Sequence, residues 1–190
     1  MIPIVRLIAL AAAVALAGGC YFDKPLTGGP SSDLNTWLLG VWEHKSAEGL
    51  TSTVRVIPVS DDRFTVQATI AGKTPKAAKV YVFAGWISRV GDSNFLTLRC
   101  EQSPGDIPSG GFVFVQGQLL DQNHIRLRGL QIDLPATSTS MELRKEVRRK
   151  LKERSLYDEE KATDWTRIEE VIWTKDGSDP AFKPLRNPTL

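Results

Sequence analysis

Short apolar segments separated by turn-forming residues fill the chain between residues 37 and 134. Apolar and polar side chains alternate strictly through residues 64–70, as expected of a strand with one buried and one solvated face. Residues 80–87 are apolar almost throughout, which indicates a strand that is covered on both faces. Turn-forming residues lie at positions 60–62, 91–94 and 121–123. This spacing predicts a mainly β fold, an antiparallel meander that closes as a barrel or folds as a sandwich.

One helix is predicted within this β-rich chain, at about residues 139–157. Thr139 and Glu142 have the spacing of a capping box. Apolar residues then recur every four positions from Leu143 to Leu151, which is typical of an amphipathic helix with a narrow apolar stripe. Residues 165–173 follow as a predicted final strand. The expected order is therefore a run of strands, one helix and a closing strand.

The segment Gly40-Val41-Trp42 resembles the G-x-W motif that opens the first strand of lipocalins, whose tryptophan plugs the closed end of the barrel. The order of strands, helix and last strand is also similar to that of lipocalin-like barrels. The resemblance covers residues 37–174 and implies a barrel of about eight strands, with Gly40 and Trp42 as its fold signature. The Thr-Asp-Tyr-like turn of lipocalins is not evident, because the nearest match, Tyr157-Asp158, follows the helix. No particular ligand is implied.

The first twenty residues have the pattern of an export signal. Arg6 precedes a ten-residue apolar run at 7–16, which is too short for a permanent membrane span but fits a signal peptide. Ala17-Gly18-Gly19-Cys20 then resembles the lipobox of bacterial lipoproteins. That resemblance implies removal of residues 1–19 and a diacylglycerol anchor on the Cys20 thiol, with palmitate among the acyl chains. The alternative is an ordinary signal peptide, with Cys20 incidental.

The same resemblance bears on where the protein resides. Tyr21 follows Cys20, in place of the aspartate that retains many enterobacterial lipoproteins in the inner membrane. We therefore expect a membrane-anchored protein of the cell envelope, on the periplasmic side of the outer membrane if the organism is Gram-negative.

Two segments outside the β-rich body lack periodicity. Residues 20–36 are rich in Gly, Pro, Ser and Asp, and we predict a lipidated N-terminus and a flexible tether that holds the domain, residues 37–174, off the membrane. Residues 175–190 contain three prolines and are predicted to form a loose tail.

Charge and cysteine content narrow the possible partners. The chain has 24 Lys and Arg against 22 Asp and Glu, and removal of Arg6 leaves the mature chain near neutrality. This balance argues against nucleic acid as a partner, since such binding needs a strong basic excess. Cys20 and Cys100 are the only cysteines. If Cys20 is acylated, Cys100 has no intramolecular partner for a disulfide.

Sequence patterns for catalysis or metal binding are weak. His44 and His124 are the only candidate histidine bases, and Gly91-Asp92-Ser93 resembles the opening of a hydrolase block only faintly, since its place between two strands favours a turn. Cys100 alternates with leucines, which indicates a small core residue. The spacings typical of metal sites do not occur. We therefore expect no enzyme, no metal and no cofactor.

The predicted helix carries the clearest charge feature. Residues 141–154 contain seven basic and three acidic side chains. A face including Arg144, Arg148 and Lys152 could approach anionic headgroups. The alternative is a solvated face whose long stems cover the barrel, and the spacing of glutamates and basic residues favours that alternative.

Alternation along strands does not fix which face lines the interior, so two functions stay open. A polar lining would draw on Thr65, Gln67, Gln116, Gln118, Gln131 and the arginines of residues 125–132. An apolar lining would draw on Phe64, Val66, Leu96, Leu98, Phe112 and Phe114. We expect a binding module that holds a small apolar or lipid-like ligand in the barrel. The alternative is a structural or protein-interaction lipoprotein with a filled barrel, whose protein partner is unknown.

Overall fold

A computed structural model of the chain describes residues 21–72, 74, 77–157, 162–172 and 180–185. Within these residues a 3-10 helix, Thr36–Leu38, precedes the strands and one α-helix. The elements are β1 Gly40–Lys45, β2 Thr51–Ser60, β3 Arg63–Ile70, β4 Lys79–Val90, β5 Ser93–Gln102, β6 Phe112–Asp121, β7 His124–Gly129, α1 Ser140–Glu153, β8 Thr163–Ile172 and β9 Ala181–Pro184. The predicted export signal and Cys20 lie outside the described residues.

The strands form a closed antiparallel barrel. Each strand from β1 to β8 pairs with the next, and β8 pairs back with β1. Because closure pairs β1 with β8, neither strand forms the edge of an open sheet, and many all-β proteins avoid edge-to-edge association in this way. The predicted fold class, a mainly β barrel of eight strands with one helix before the last strands, is confirmed.

Gly40 allows the first and last barrel strands to meet. Its φ is 137°, and a Cβ atom there would lie 2.5 Å from the backbone oxygen of Glu169. The β1–β8 register shifts between Val41 and Trp42, immediately after this point. Only a glycine fits this conformation and this approach, because other residues rarely adopt positive φ and need room for Cβ. The glycine of the G-x-W segment is therefore required for closure.

The inside of the barrel is an apolar core of large side chains. Trp42 is fully buried, Trp165 is 1% exposed, and the rings of Tyr81 and Phe83 stack with centroids 6.1 Å apart. Phe64 and Val66, which were considered for an apolar lining, belong to this same buried cluster. The interior is thus filled from several strands at once.

A second buried cluster lies on the outer face of the barrel. Strand β4 contributes to both clusters, since Phe83 and Ile87 belong to the interior and Trp86 and Val90 to the outer cluster. The prediction that residues 80–87 are covered on both faces holds at Trp86 and Ile87, whereas Val80 at the start of the stretch is 48% exposed. The other members of the outer cluster are Phe22, Leu26, Phe95, Phe112, Phe114, Ile132, Leu143, Val147 and Leu156. The inward placement considered for Phe112 and Phe114 is wrong, because the outer face of β6 is also apolar and is covered.

Helix α1 begins with the predicted capping box. The Glu142 amide donates to the Thr139 hydroxyl at 3.3 Å, and the Thr139 amide donates to the Glu142 carboxylate at 2.8 Å. The helix ends at Glu153, earlier than predicted, because Arg154 adopts a left-handed conformation with φ 57° that terminates it. Leu143 and Val147 are fully buried. Among the described residues no helix is long and apolar enough to cross a membrane.

The structure differs from the sequence-based expectation at the end of the chain. A loose tail was predicted for residues 175–190, but Ala181–Pro184 forms β9 and pairs antiparallel with β8 from Glu169 to Ile172. The Leu185 amide also donates to the Ile168 carbonyl at 3.0 Å.

Candidate functional site

The barrel interior was the first candidate ligand site, and it holds a cavity of about 40 Å³. The residues around it are Leu38, Trp42, Val54, Val56, Val66, Leu96, Leu98, Val115, Ile125, Leu127, Thr163 and Trp165. The Thr163 hydroxyl, the one polar side-chain group apart from the indole nitrogens, accepts a hydrogen bond from Trp165 Nε1 at 2.9 Å. Ligand sites usually measure about 300–1,000 Å³. The cavity is also well below the ~150 Å³ that accommodates benzene in an engineered core.

One end of the barrel is closed by the 3-10 helix and an arginine. Trp42 Nε1 donates to the Leu38 carbonyl at 2.9 Å, which fixes the indole against the helix. The Arg167 guanidinium lies 4.5 Å from the centre of the Trp42 ring, and its Nη2 donates to the Trp37 carbonyl. Burial lowers the pKa of Arg167. The guanidinium therefore ties β8, β1 and the 3-10 helix together at this end.

Arg167 was not predicted from the sequence. It lies in the segment recognised as the last strand, where a single arginine is ordinarily read as solvent-facing. Its Nε is buried without a hydrogen-bond partner in the described structure. The only available signal was its position in the strand that pairs with the strand of Trp42. The register between these two strands is known only from the closed barrel.

The loop after β5 covers the opposite end of the barrel. Ile107 is 2% exposed and belongs to the interior cluster. The Tyr81 hydroxyl donates to the Asp106 carboxylate at 2.7 Å, and Lys79 Nζ donates to the same oxygen at 2.6 Å. These two donors lower the pKa of Asp106, while burial is the main cause that raises the pKa of Tyr81. Both ends of the barrel are thus occupied by side chains of the chain itself.

The polar residues considered as a cavity lining lie on the outside of the barrel. Thr65, Gln67, Gln116 and Gln118 alternate with interior residues, and Gln131 is exposed. Arg126 donates to both oxygens of Asp164, at 2.6 and 2.8 Å, and Arg128 donates to Gln118 at 2.8 Å. The hydrogen bonds from Arg126 are the main cause of the lowered pKa of Asp164. The interior is apolar, and of the residues named for an apolar lining it includes Phe64, Val66, Leu96 and Leu98 but not Phe112 or Phe114.

The candidate catalytic side chains have separate local partners. His44 Nδ1 lies 2.8 Å from the Asp164 carbonyl, and His124 Nδ1 lies 2.8 Å from the Asp121 carboxylate. Ser93 starts β5 after the hairpin turn. Cys100 is 1% exposed, and burial raises the pKa of its thiol. Among the residues described, no group of three or more His, Cys, Asp or Glu side chains could hold a metal ion.

The N-terminal segment, residues 21–34, is bound to the barrel along its length. Phe22 exchanges backbone hydrogen bonds with Phe112, at 3.0 and 2.8 Å. Further backbone bonds of 2.6–2.9 Å follow, and they join Asp23 to Ala136, Ser31 to Ile87 and Leu34 to Asp61. The structure here differs from the predicted flexible tether. This segment is rich in glycine, proline and serine, but its few large apolar residues are buried against the outer face of the barrel.

Hydroxyl groups hold the middle of the N-terminal segment. The Thr27 and Ser88 hydroxyl oxygens are 2.6 Å apart, and those of Ser88 and Thr97 are 2.7 Å apart. Ser88 and Thr97 are fully buried on the outer face of β4 and β5. Trp86 Nε1 also reaches the Thr27 hydroxyl at 3.4 Å. Since buried hydroxyls are costly without partners, this chain of hydrogen bonds favours the bound position of the segment.

Helix α1 covers the N-terminal segment and presents basic residues outward. Arg144 is half-buried and its guanidinium donates to the Leu26 carbonyl at 3.1 Å. Arg149 pairs with Glu146 and Glu153 within the helix, and Lys150 pairs with Asp133. The remaining outward residues share one face and are called the basic stripe: Met141, Lys145, Arg148 and Lys152.

The charges of the basic stripe are not neutralised by any carboxylate among the described residues. In the part of the chain that the structure describes, no carboxylate lies within 4.0 Å of Lys145, Arg148 or Lys152. Of the predicted face, Arg148 and Lys152 belong to the stripe, while Arg144 binds the N-terminal segment. The glutamates of α1 are engaged elsewhere, because Glu142 caps the helix and the other two bind Arg149.

The chain matches no protein-family model, no curated protein and no solved structure. Its function is therefore argued from two regions, the filled interior of the barrel and the outer face that carries the N-terminal segment and α1.

Proposed function

We propose that this chain is a lipid-anchored lipoprotein of the cell envelope whose filled barrel acts as a structural or protein-interaction module. The anchor follows from the resemblance of Ala17-Gly18-Gly19-Cys20 to a lipobox and from the apolar run before it. The observation that carries the choice between the two functions is the interior cavity of about 40 Å³. Binding of a small apolar ligand inside the barrel stays a prediction, and the experiment below tests it as well.

Packing inside the barrel supports the choice of a filled module. A cavity large enough for even a small aromatic ligand would require the displacement of a large buried side chain such as Trp42 or Trp165. Removal of a buried tryptophan costs about 3–5 kcal/mol. Trp42 is also held by Leu38 and Arg167. Ligand entry would therefore compete with the packing that stabilises the fold.

A lipocalin-like origin of the barrel is part of the proposal. It is supported by Gly40 at the point of strand closure and by Trp42 under the 3-10 helix, the place that the G-x-W resemblance implies. For a Gram-negative organism, residence on the periplasmic side of the outer membrane is likewise proposed, from Tyr21 after the cysteine.

Mass spectrometry of the protein extracted in mild detergent from its host membrane tests both parts. We expect a polypeptide that begins at residue 20 with the mass of a covalent diacylglyceryl group, and no further lipid released from the native protein. The control Cys20→Ser should lose the covalent lipid and leave the membrane fraction. A non-covalent lipid at one per chain would overturn the filled-barrel assignment in favour of ligand binding. An unmodified Cys20 would overturn the anchor.

A further inference from the structure

We propose that the basic stripe of α1 seats the domain on the anionic phospholipid headgroups of the leaflet that holds the anchor. The inference rests on the proposed lipid anchor at Cys20 and adds an orientation to it. Instead of standing off the membrane on a flexible tether, the barrel lies against the bilayer with α1 facing the headgroups.

The first step is the short distance between the anchor and the folded body. Phe22 is 1% exposed and is hydrogen-bonded in both directions to Phe112. Only Tyr21 separates it from Cys20. Two residue steps span at most ~7 Å even in a fully extended chain. A lipid on Cys20 therefore holds the barrel wall next to the membrane surface.

The second step places α1 beside that attachment point. The Asp23 amide donates to the Ala136 carbonyl at 2.8 Å, three residues before the helix cap at Thr139. Farther along, Arg144 donates to the Leu26 carbonyl. The side chains of Phe22, Leu26, Leu143 and Val147 belong to one buried cluster. The anchor thus emerges beside the N-terminal end of α1.

The third step is the character of the basic stripe. Its members recur at three- and four-residue intervals, so they lie along one side of the helix over roughly 16 Å. Met141 is 71% exposed at the end nearest the anchor. The cations that follow it have no carboxylate partner in the described part of the chain. A methionine followed by such cations is complementary to an anionic interface, in which an apolar side chain enters the headgroup region and the cations meet phosphates.

The anchor makes a weak surface interaction sufficient. Each basic side chain near an anionic membrane raises the equilibrium constant for contact with the surface by about fivefold. Three cations therefore raise it on the order of 100-fold. Such an effect is small for a free protein. For a protein already attached at Cys20, docking is intramolecular and needs no additional loss of translational freedom.

Fluorescence quenching on proteoliposomes tests the inference with the full lipidated protein. A fluorophore is attached to Met141→Cys or, as a matched site, to Val59→Cys, whose native residues are 71% and 66% exposed. Cys100 is buried and the lipid blocks Cys20, so neither should react. Val59 lies near the β2–β3 turn that binds Leu34, at the other end of the N-terminal segment from Phe22. Headgroup-attached spin labels serve as quencher, in phosphatidylcholine with or without 30% phosphatidylglycerol.

We expect the label at position 141 to be quenched several-fold more strongly with phosphatidylglycerol than without it, and the label at position 59 to respond equally in both. The variant Lys145→Gln/Arg148→Gln/Lys152→Gln should remove the dependence on phosphatidylglycerol. The charge-matched control Lys45→Gln/Arg89→Gln/Arg99→Gln should retain it. Circular dichroism checks that both variants are folded.

Two failures of the experiment are distinguishable. If the protein floats with both kinds of vesicle but quenching at position 141 ignores the anionic lipid, the docking surface is overturned while the anchor stands. If the protein does not float with either kind of vesicle, the lipid anchor is absent, and the proposed function and this inference are overturned together.

Discussion

The interior of the barrel and its outer face over β4, β5 and β6 both bury aromatic side chains, but they are completed differently. The interior is filled by residues of the strands and by the short segments at the two ends. The outer cluster is completed by Phe22 and Leu26 of the N-terminal segment and by α1. The barrel wall at β4, β5 and β6 is therefore apolar on both sides, and the segment nearest the proposed anchor belongs to the folded domain.

The largest expected effect concerns the interior. Trp42→Ala should lower the free energy of unfolding by an amount near the upper end of about 3–5 kcal/mol, because it empties the core and leaves Arg167 without the ring. Trp42 is 0% exposed. Urea denaturation measures the change, with Val59→Ala as an exposed control expected within about 0.5 kcal/mol of the native protein. A loss below about 1 kcal/mol for Trp42→Ala would contradict a filled barrel.

A second variant tests the outer cluster. Phe22→Ala should lower the free energy of unfolding by about 3 kcal/mol, since the ring is buried and stacks on Phe114 with centroids 5.5 Å apart. Tyr21→Ala is the neighbouring control, because Tyr21 is 36% exposed. If the two variants were equally stable, the N-terminal segment would be a tether after all, and the contrast between the regions would disappear.

A smaller effect is expected where β7 meets β8. Arg126 lowers the pKa of Asp164 in the folded protein. The stabilisation is therefore fully present above the ordinary carboxyl value of about 3.9 and is lost as the pH falls through the lower folded-state value. Asp164→Asn should lower the free energy of unfolding by up to about 1 kcal/mol at neutral pH, a small amount because the pair is partly exposed. The variant should also depend less on pH in the acidic range in which Asp164 titrates. The double variant Arg126→Gln/Asp164→Asn should lose less free energy of unfolding than the sum of the losses in the two single variants.

The smallest effect on stability is expected at the basic stripe. Lys145→Gln/Arg148→Gln/Lys152→Gln should change the free energy of unfolding by no more than about 0.5 kcal/mol, since these side chains make no ion pair in the described structure. Thermal denaturation measures it. A clear loss of stability would mean that the stripe supports the fold, which would weaken its assignment as a membrane-facing surface.

Sequence reasoning succeeded where the signal is local. Alternation located the strands of the barrel, although not β9, and the spacing of Thr139 and Glu142 located the start of α1. Three features depend on contacts between distant segments and were not predictable. Phe112 and Phe114 could not be assigned to the outer cluster without the segment that covers them. The role of Arg167 depends on the register between β1 and β8, and the interior volume depends on how side chains from seven strands and the 3-10 helix meet.

Composition was the misleading signal in the N-terminal segment. Glycine, proline and serine are abundant there, which is typical of linkers. The segment nevertheless places Phe22, Leu26 and Leu34 into buried positions, each less than 8% exposed. Such sparse apolar positions have no periodicity and become informative only when the apolar outer face of the barrel is known.

Amide hydrogen exchange of the lipidated protein shows whether the N-terminal segment belongs to the folded domain. The amides of Phe22, Asp23, Ser31 and Leu34 donate backbone hydrogen bonds to the rest of the domain. We predict that they exchange as slowly as the Phe112 amide, which donates back to Phe22. Exchange of these four amides at the rate of an unstructured chain, with Phe112 and the barrel strands protected, would contradict the account.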